Sequence, residues 1–272
     1  MINAPATERL SEMEKMAKPL GTWQAERQAE LASPDSWLGV IGLFWLEAGV
    51  NRVGRGDDCP VRLPDGPALL GELRCADGRV DWWPADAEAR QLRTDADGQP
   101  DLIECGDLAF FIVERDGRLA VRLRDRAWAR QRPFAGLDYF PAAEAWCIEA
   151  AWEQLVPPLS VEMSNVAGDL KTVTVSQRAV FSYAGETYAL LPSSISEREV
   201  FFVFRDRTSG KETYGAGRFL RAEAACNGRI VLDFNRAFNP PCAFTAFATC
   251  PLPPPENWLP FAVTAGEKKP GY

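Results

Sequence analysis

Between Asp206 and Cys242 the chain concentrates side chains able to bind or react. Lys211, Arg218 and Arg236 offer cations to an anionic group, while Tyr214, Asp233, Asn235 and Asn239 offer hydrogen bonds. Cys242 offers a thiol. A thiol becomes a nucleophile only once deprotonated, and a nearby lysine or arginine favours the thiolate. In that role Cys242 would take Asp233, Lys211 or Tyr214 as base or orienting group. Arg218 or Arg236 would then hold the substrate. Without any bond-making, the same cluster would bind a small polar or anionic ligand.

The chain contains no histidine. That removes Ser-His-Asp and Cys-His catalysis, histidine-liganded zinc and histidine-ligated haem. Any general base must be Asp, Glu, Lys, Tyr or Cys. The seven cysteines are scattered and none forms a Cys-x-x-Cys pair, so no metal site and no cofactor is expected. Thr208-Ser209-Gly210-Lys211 invites comparison with a phosphate-binding loop. The upstream glycine of that pattern is missing and Glu212 follows the lysine, so a plain hairpin loop is expected. Cys242 and Cys250, flanked by Ala, Phe and Pro, also read as packing residues. Three functions follow in order of preference. Binding of a small polar or anionic ligand comes first. A histidine-independent enzyme of hydrolase or transferase type, using Cys242 or Asp233, comes second. The third is a protein-interaction module presenting Cys250–Pro260 as a polyproline segment.

These residues need a scaffold, and the pattern around them is that of strands. "WCIEAAWEQL", "LSVEMSN", "LKTVTVSQRAVFSYAGETYALLP", "REVFFVFRDRTSG", "GRFLRAEA", "GRIVLDFN" and "LPFAVTAGE" follow one another with no convincing helix. They predict a barrel-like antiparallel unit over residues 146–272. In a regular strand Asp233 and Asn235 share a face. The Asn239-Pro240-Pro241 turn stiffens the following loop, because proline fixes its own φ and restricts the residue before it. Gly215 and Gly217 mark a bulge or a close approach of backbone or ligand.

Upstream, residues 49–125 predict a sandwich-like unit of short strands, with a strong hairpin signal at Glu114–Arg118. A connector over 126–145 packs its aromatics. Residues 1–48 read as short helices: one from Thr7 to about 32, split by Pro19 and Gly21, and one over Trp37–Trp45, whose apolar residues fall at helical spacing. The fold class expected is mainly β, with short N-terminal helices and two antiparallel β units.

Composition bounds the partners. The chain has 272 residues, of which 46% are hydrophobic and 25% charged, and a net charge of −8. That charge disfavours nucleic acid and anionic lipid. No apolar run reaches the roughly 18 residues of a membrane span. The first residues do not read as a secretory signal, and the unpaired cysteines suit a reducing, cytoplasmic setting.

Two resemblances add to this reading. "NRVGRGDDCPVRLPDGP" resembles the opening of forkhead-associated domains, with Gly54-Arg55 and Val61–Asp65 in the matching places. The serine and histidine with which those domains read phosphothreonine are missing here. "SGKETYGAGRFL", "VLDFNRAFNPPCAFTAFATCPLPPPENWLP" and "AGEK" resemble the domain-of-unknown-function 1684 family, as does "WLGVIGLFWLEAGVNRVG" further upstream. The second resemblance implies membership and no particular reaction.

Overall fold

A computed structural model describes residues 18–271. The part of the expected first helix before Lys18 lies outside the described residues. Its second part is helix α1 (Leu20–Ala32), which starts directly after Pro19. The described chain is mainly β and divides into two compact units, residues 31–134 and residues 18–30 with 135–271.

The first unit is built from β1 (Val40–Trp45), β2 (Gly49–Gly54), β3 (Val61–Arg62), β4 (Gly71–Ala76), β5 (Arg79–Pro84), β6 (Arg90–Leu92), β7 (Ile103–Cys105), β8 (Leu108–Arg115) and β9 (Arg118–Asp125), followed by the short helix α2 (Arg126–Gln131). One sheet has the order β1-β9-β8-β7 and the other β3-β2-β4-β5-β6. Alternation drives their packing: Leu73, Val80 and Trp82 meet Phe110, Ile112, Val121 and Leu123 in one core. The predicted hairpin is present, with Arg115 paired to Arg118 across Asp116-Gly117, both at positive φ.

The helix expected over Trp37–Trp45 is a 3-10 turn at Trp37–Gly39 followed by strand β1. Its apolar residues serve both faces of the strand. Ile41 and Phe44 pack against the sandwich core, whereas Leu43 and Trp45 pack against Phe111, Val113 and Ala120. An irregularity between Val40 and Gly42 shifts the register. Apolar residues on both faces cancel the two-residue period that would have marked a strand.

The second unit contains β10 (Cys147–Ser164), β11 (Leu170–Tyr183), β12 (Glu186–Leu190), β13 (Ser194–Ile195), β14 (Glu199–Phe204), β15 (Arg218–Glu223) and β16 (Arg229–Asp233). Its sheets run β12-β11-β10-β16 and β13-β14-β15, all antiparallel. They share one core. Ala150, Ala179, Phe181 and Leu232 from the first sheet meet Phe202, Phe204, Leu220 and Ala222 from the second around Phe234. "WCIEAAWEQL" and "LSVEMSN" form a single long strand, β10, whose pairing with β11 shifts register between Gln154 and Leu159.

The strand expected at "LPFAVTAGE" does not form: residues 259–267 pair with no strand. Leu259 and Phe261 bond to the backbone of Arg205 and Arg207, and over 263–267 a single arginine takes the place of a neighbouring strand. No described helix is long and apolar enough to cross a membrane.

Candidate functional site

Arg218 opens β15 with its side chain pointing into the protein, 0% exposed. Its guanidinium donates to Asp206 Oδ2 at 2.9 Å and to Val263 O at 2.9 Å, as well as to the carbonyls of Ala265 and, at 3.4 Å, Glu267. Those carbonyls lie on alternate residues of an extended segment, where a paired strand would have offered N–H donors. Asp206 completes the arrangement by accepting from Thr208 N at 2.7 Å and Val263 N at 3.3 Å. Burial pushes the Arg218 pKa down and the Asp206 carboxylate opposes it. The ion pair thus neutralises a charge that would be costly alone in this setting.

The segment pinned by Arg218 is the "AGEK" string. Gly266 has φ +74, and a Cβ there would stand 2.4 Å from Ala237 O. Only glycine suits that backbone without strain. Glu267, 0% exposed, then accepts from Arg27 Nε of α1 at 2.8 Å and from Asn239 N at 2.7 Å. Asn239 donates through Nδ2 to Lys268 O at 2.7 Å, and its carbonyl accepts from Arg27 Nη2 at 3.0 Å. Its Oδ1 is buried without a partner. Tyr139 lies beside Glu267, its hydroxyl also buried without a well-formed hydrogen bond. Burial, followed by the Glu267 charge, pushes the Tyr139 pKa up.

Asp233, Asn235 and Arg236 form a second group. The strand stops at Asp233 and residues Phe234–Arg236 make a 3-10 turn, so Asp233 and Asn235 do not share a strand face as expected. Asp233 instead caps the turn: Oδ1 accepts from Asn235 N at 3.1 Å and Oδ2 from Arg236 Nε at 2.9 Å. Asn235 exchanges hydrogen bonds with both the N–H and the C=O of Ala143, at 3.1 and 3.0 Å. Arg236 also donates to Lys18 O and faces the ring of Trp23 at 5.9 Å.

A cavity of about 350 Å³ lies beside this group. Its floor is formed by β15 and β16, edge strands of different sheets. Trp23 of α1 and Phe238 give it apolar walls. Lys18, Arg221, Arg229 and Arg236 stand round it as cations, against only two carboxylates, Glu223 and Asp233. Two thiols, Cys147 and Cys226, also line it, and Cys147 sits directly opposite Asp233 in the β10–β16 register.

The remaining predicted residues lie on a third group. Lys211 is exposed on the loop between β14 and β15. Tyr214, further along that loop, donates its hydroxyl to Cys242 O at 2.8 Å. Gly217 shows the close backbone approach expected of it: a Cβ there would stand 2.5 Å from Phe204 O. Of the residues singled out in the sequence, only Asp233 and Arg236 line the cavity, while Arg218 and Asn239 are fully buried. Sequence reasoning missed Trp23, Arg221 and Arg229. Arg221, Glu223 and Arg229 look like ordinary outward residues of amphipathic strands, and only the meeting of β15 with β16 brings them together. The proline segment packs on its own chain. Pro253 and Pro254 are buried, and Asn257 bonds to Leu191 N, Leu191 O and Val203 O, each at 2.8 Å. Among the described residues, no three His, Cys, Asp or Glu side chains cluster as metal ligands would.

Residues 132–268, half of the chain, match the family described as protein of unknown function (DUF1684), and the chain belongs to that family. The match begins after the first β unit, so it lends nothing to the forkhead-associated likeness there. Among solved structures, the chain is similar to the solution NMR structure of an uncharacterized protein of Haloarcula marismortui. The two share 34% identity over 50% of this chain and 77% of that one, with a TM-score of 0.40. No curated protein matches the chain.

Replacing Arg218 by Met would leave Asp206 buried without its partner, a change expected to cost about 3–5 kcal/mol. Urea unfolding of R218M against the wild type measures this, and a loss under about 1 kcal/mol would contradict the role given to Arg218. The raised Tyr139 pKa has a consequence at high pH. The stability it carries is fully present below the unfolded value near 10 and is lost as pH rises above it. The stability difference between wild type and Tyr139→Phe should therefore fall from about pH 9.5 upward, by at most about 1.4 kcal/mol per pH unit. Parallel stability curves for the two proteins would show that Tyr139 is not the group responsible.

Proposed function

We propose that the unit formed by residues 18–30 and 135–271 binds a small amphiphilic anion in the cavity between α1 and the β15–β16 face. The apolar body of the ligand would lie between Trp23 and Phe238, and its anionic group would face Arg221, Arg229 and Arg236. One observation carries this reading: an apolar-walled cavity of about 350 Å³ is ringed by four cations on a chain whose net charge is −8. Four cations line the cavity against two carboxylates, and a cation-rich lining favours an anionic ligand. The volume falls at the lower end of small-molecule sites.

The cations are already paired, but in a way that favours exchange. Lys18 pairs with Glu26, Arg221 with Glu199, Arg229 with Glu149 and Arg236 with Asp233. The Glu199 and Glu149 side chains are 41% exposed, as solvated surface partners are. Such pairs contribute about 0–1 kcal/mol, so an incoming anion can displace the glutamates at little cost. Asp233 has a different task. Its two oxygens hold Asn235 and Arg236, which fixes the cation at the cavity mouth rather than offering a free base.

Anilinonaphthalene sulfonate, an aromatic anion whose fluorescence rises in apolar surroundings, is a suitable probe. The native protein should show a saturable signal that weakens with added salt. Joint replacement of Arg221 and Arg229 by Ala should raise its Kd about tenfold, or about 1.4 kcal/mol. Alkylation of Cys147 should block it. A signal indifferent to both changes would place the probe elsewhere and remove the basis of the proposal.

A further inference from the structure

Away from the cavity, Cys242 and Cys250 meet across the loop that joins them. Cys242 is the middle residue of the 3-10 turn Pro241–Ala243. An amide so early in a helical turn has no acceptor within the turn. Here it donates to Cys250 Sγ at 3.3 Å. Both ends of the loop are anchored from outside it. Tyr214 donates its hydroxyl to Cys242 O at 2.8 Å. At the other end Val166 N donates to Cys250 O at 3.0 Å, and Leu252 N to Ser164 O at 2.8 Å, which ties Cys250 to the β10–β11 hairpin. Neither cysteine is in a disulfide.

The two thiols differ in access and in electrostatics. Cys242 is half-buried, and Cys250 is 5% exposed. A hydrogen bond from the Cys250 thiol draws the Cys242 pKa down; burial opposes this, and the Tyr214 hydroxyl adds to the lowering. Cys75 behaves in the opposite way, its pKa raised by burial and then by Asp81, as expected of a thiol that only packs.

We propose that Cys242 and Cys250 form a peroxide-oxidisable dithiol that closes to a disulfide across the loop. The oxidant is a hydroperoxide, with hydrogen peroxide as the simplest case. The Cys242 thiolate attacks one peroxide oxygen and the O–O bond breaks. Cys242 becomes a sulfenic acid, and the departing hydroxide takes the thiol's proton and leaves as water. Cys250 sulfur then attacks the Cys242 sulfur, the S–O bond breaks, and the hydroxyl leaves as a second water with the Cys250 proton. Two thiols are oxidised by two electrons and one peroxide is reduced to two waters. The Cys250 sulfur already lies 3.3 Å from the Cys242 amide, and closure brings the two sulfurs to a bond of about 2.0 Å. The anchors on either side hold the loop ends while this happens, so the site does not depend on the anion cavity.

The test treats the full chain with one equivalent of hydrogen peroxide, alkylates the remaining thiols and maps the peptides by mass. A cross-linked pair of peptides carrying Cys242 and Cys250 is expected before the exposed Cys147 is oxidised. The alkylatable thiols should fall by two from seven. With dimedone present, Cys250→Ser should carry the adduct on Cys242. Tyr214→Phe should slow Cys242 oxidation relative to Cys147 in the same molecule. If Cys250→Ser fails to fold, the wild-type peptide map decides alone. Oxidation of Cys147 while Cys242 and Cys250 both stay alkylatable, or a disulfide joining Cys242 to another cysteine, would overturn the proposal.

Discussion

The ion pair of Arg218 with Asp206, buried and extended by three carbonyl contacts, organises the second unit. A guanidinium has five donors in a fixed plane, so one side chain can satisfy groups that would otherwise need a whole strand. Here it fixes the 263–267 segment, and that segment places Glu267. Glu267 in turn receives Arg27 from α1 and the amide of Asn239. Through Arg27 the helix is docked, and with it Trp23 and Lys18 at the cavity. The walls of the cavity are thus two links away from the buried pair.

This dependence explains why the polar residues of the C-terminal string divide as they do. Arg218, Asn239 and Glu267 are wholly internal and hold backbone. Asp233, Asn235 and Arg236 cap the end of β16 and present one cation at the cavity. Tyr214, Cys242 and Cys250 stabilise a loop whose ends are clamped and in which the Cys242 amide meets the Cys250 sulfur. Pro240 and Pro241 serve the last group by setting the 3-10 turn that carries Cys242, and Pro254 precedes a separate turn that carries Asn257.

The strands were legible where one face meets a core and the other meets water. Leu73, Cys75, Val80 and Trp82 alternate with charged residues, and the turn at Asp116-Gly117 declares its hairpin. Where both faces are apolar, as in β1, spacing alone could not separate strand from helix. The "LPFAVTAGE" segment reads as a strand because it is apolar and extended, yet its first residues bond to the backbone of Arg205 and Arg207 and its carbonyls from Val263 onward to the side chain of Arg218. The cavity was legible only in part. Asp233 and Arg236 stand next to a turn and draw notice, but Trp23, Arg221 and Arg229 become neighbours only through the topology that sets β15 beside β16. Asn239 and Arg218 read as ligand-binding residues because polar side chains in an apolar string suggest a site; in the structure, buried backbone groups are what they serve.

The most direct measurement is anomalous diffraction from crystals soaked in bromobenzoate, an aromatic anion whose heavy atom can be located without ambiguity. Binding of an amphiphilic anion in this protein predicts a bromine peak between Trp23 and Phe238, with the carboxylate toward Arg221, Arg229 or Arg236. Bromine peaks only at other places on the chain, with the cavity empty at saturating ligand, would contradict it.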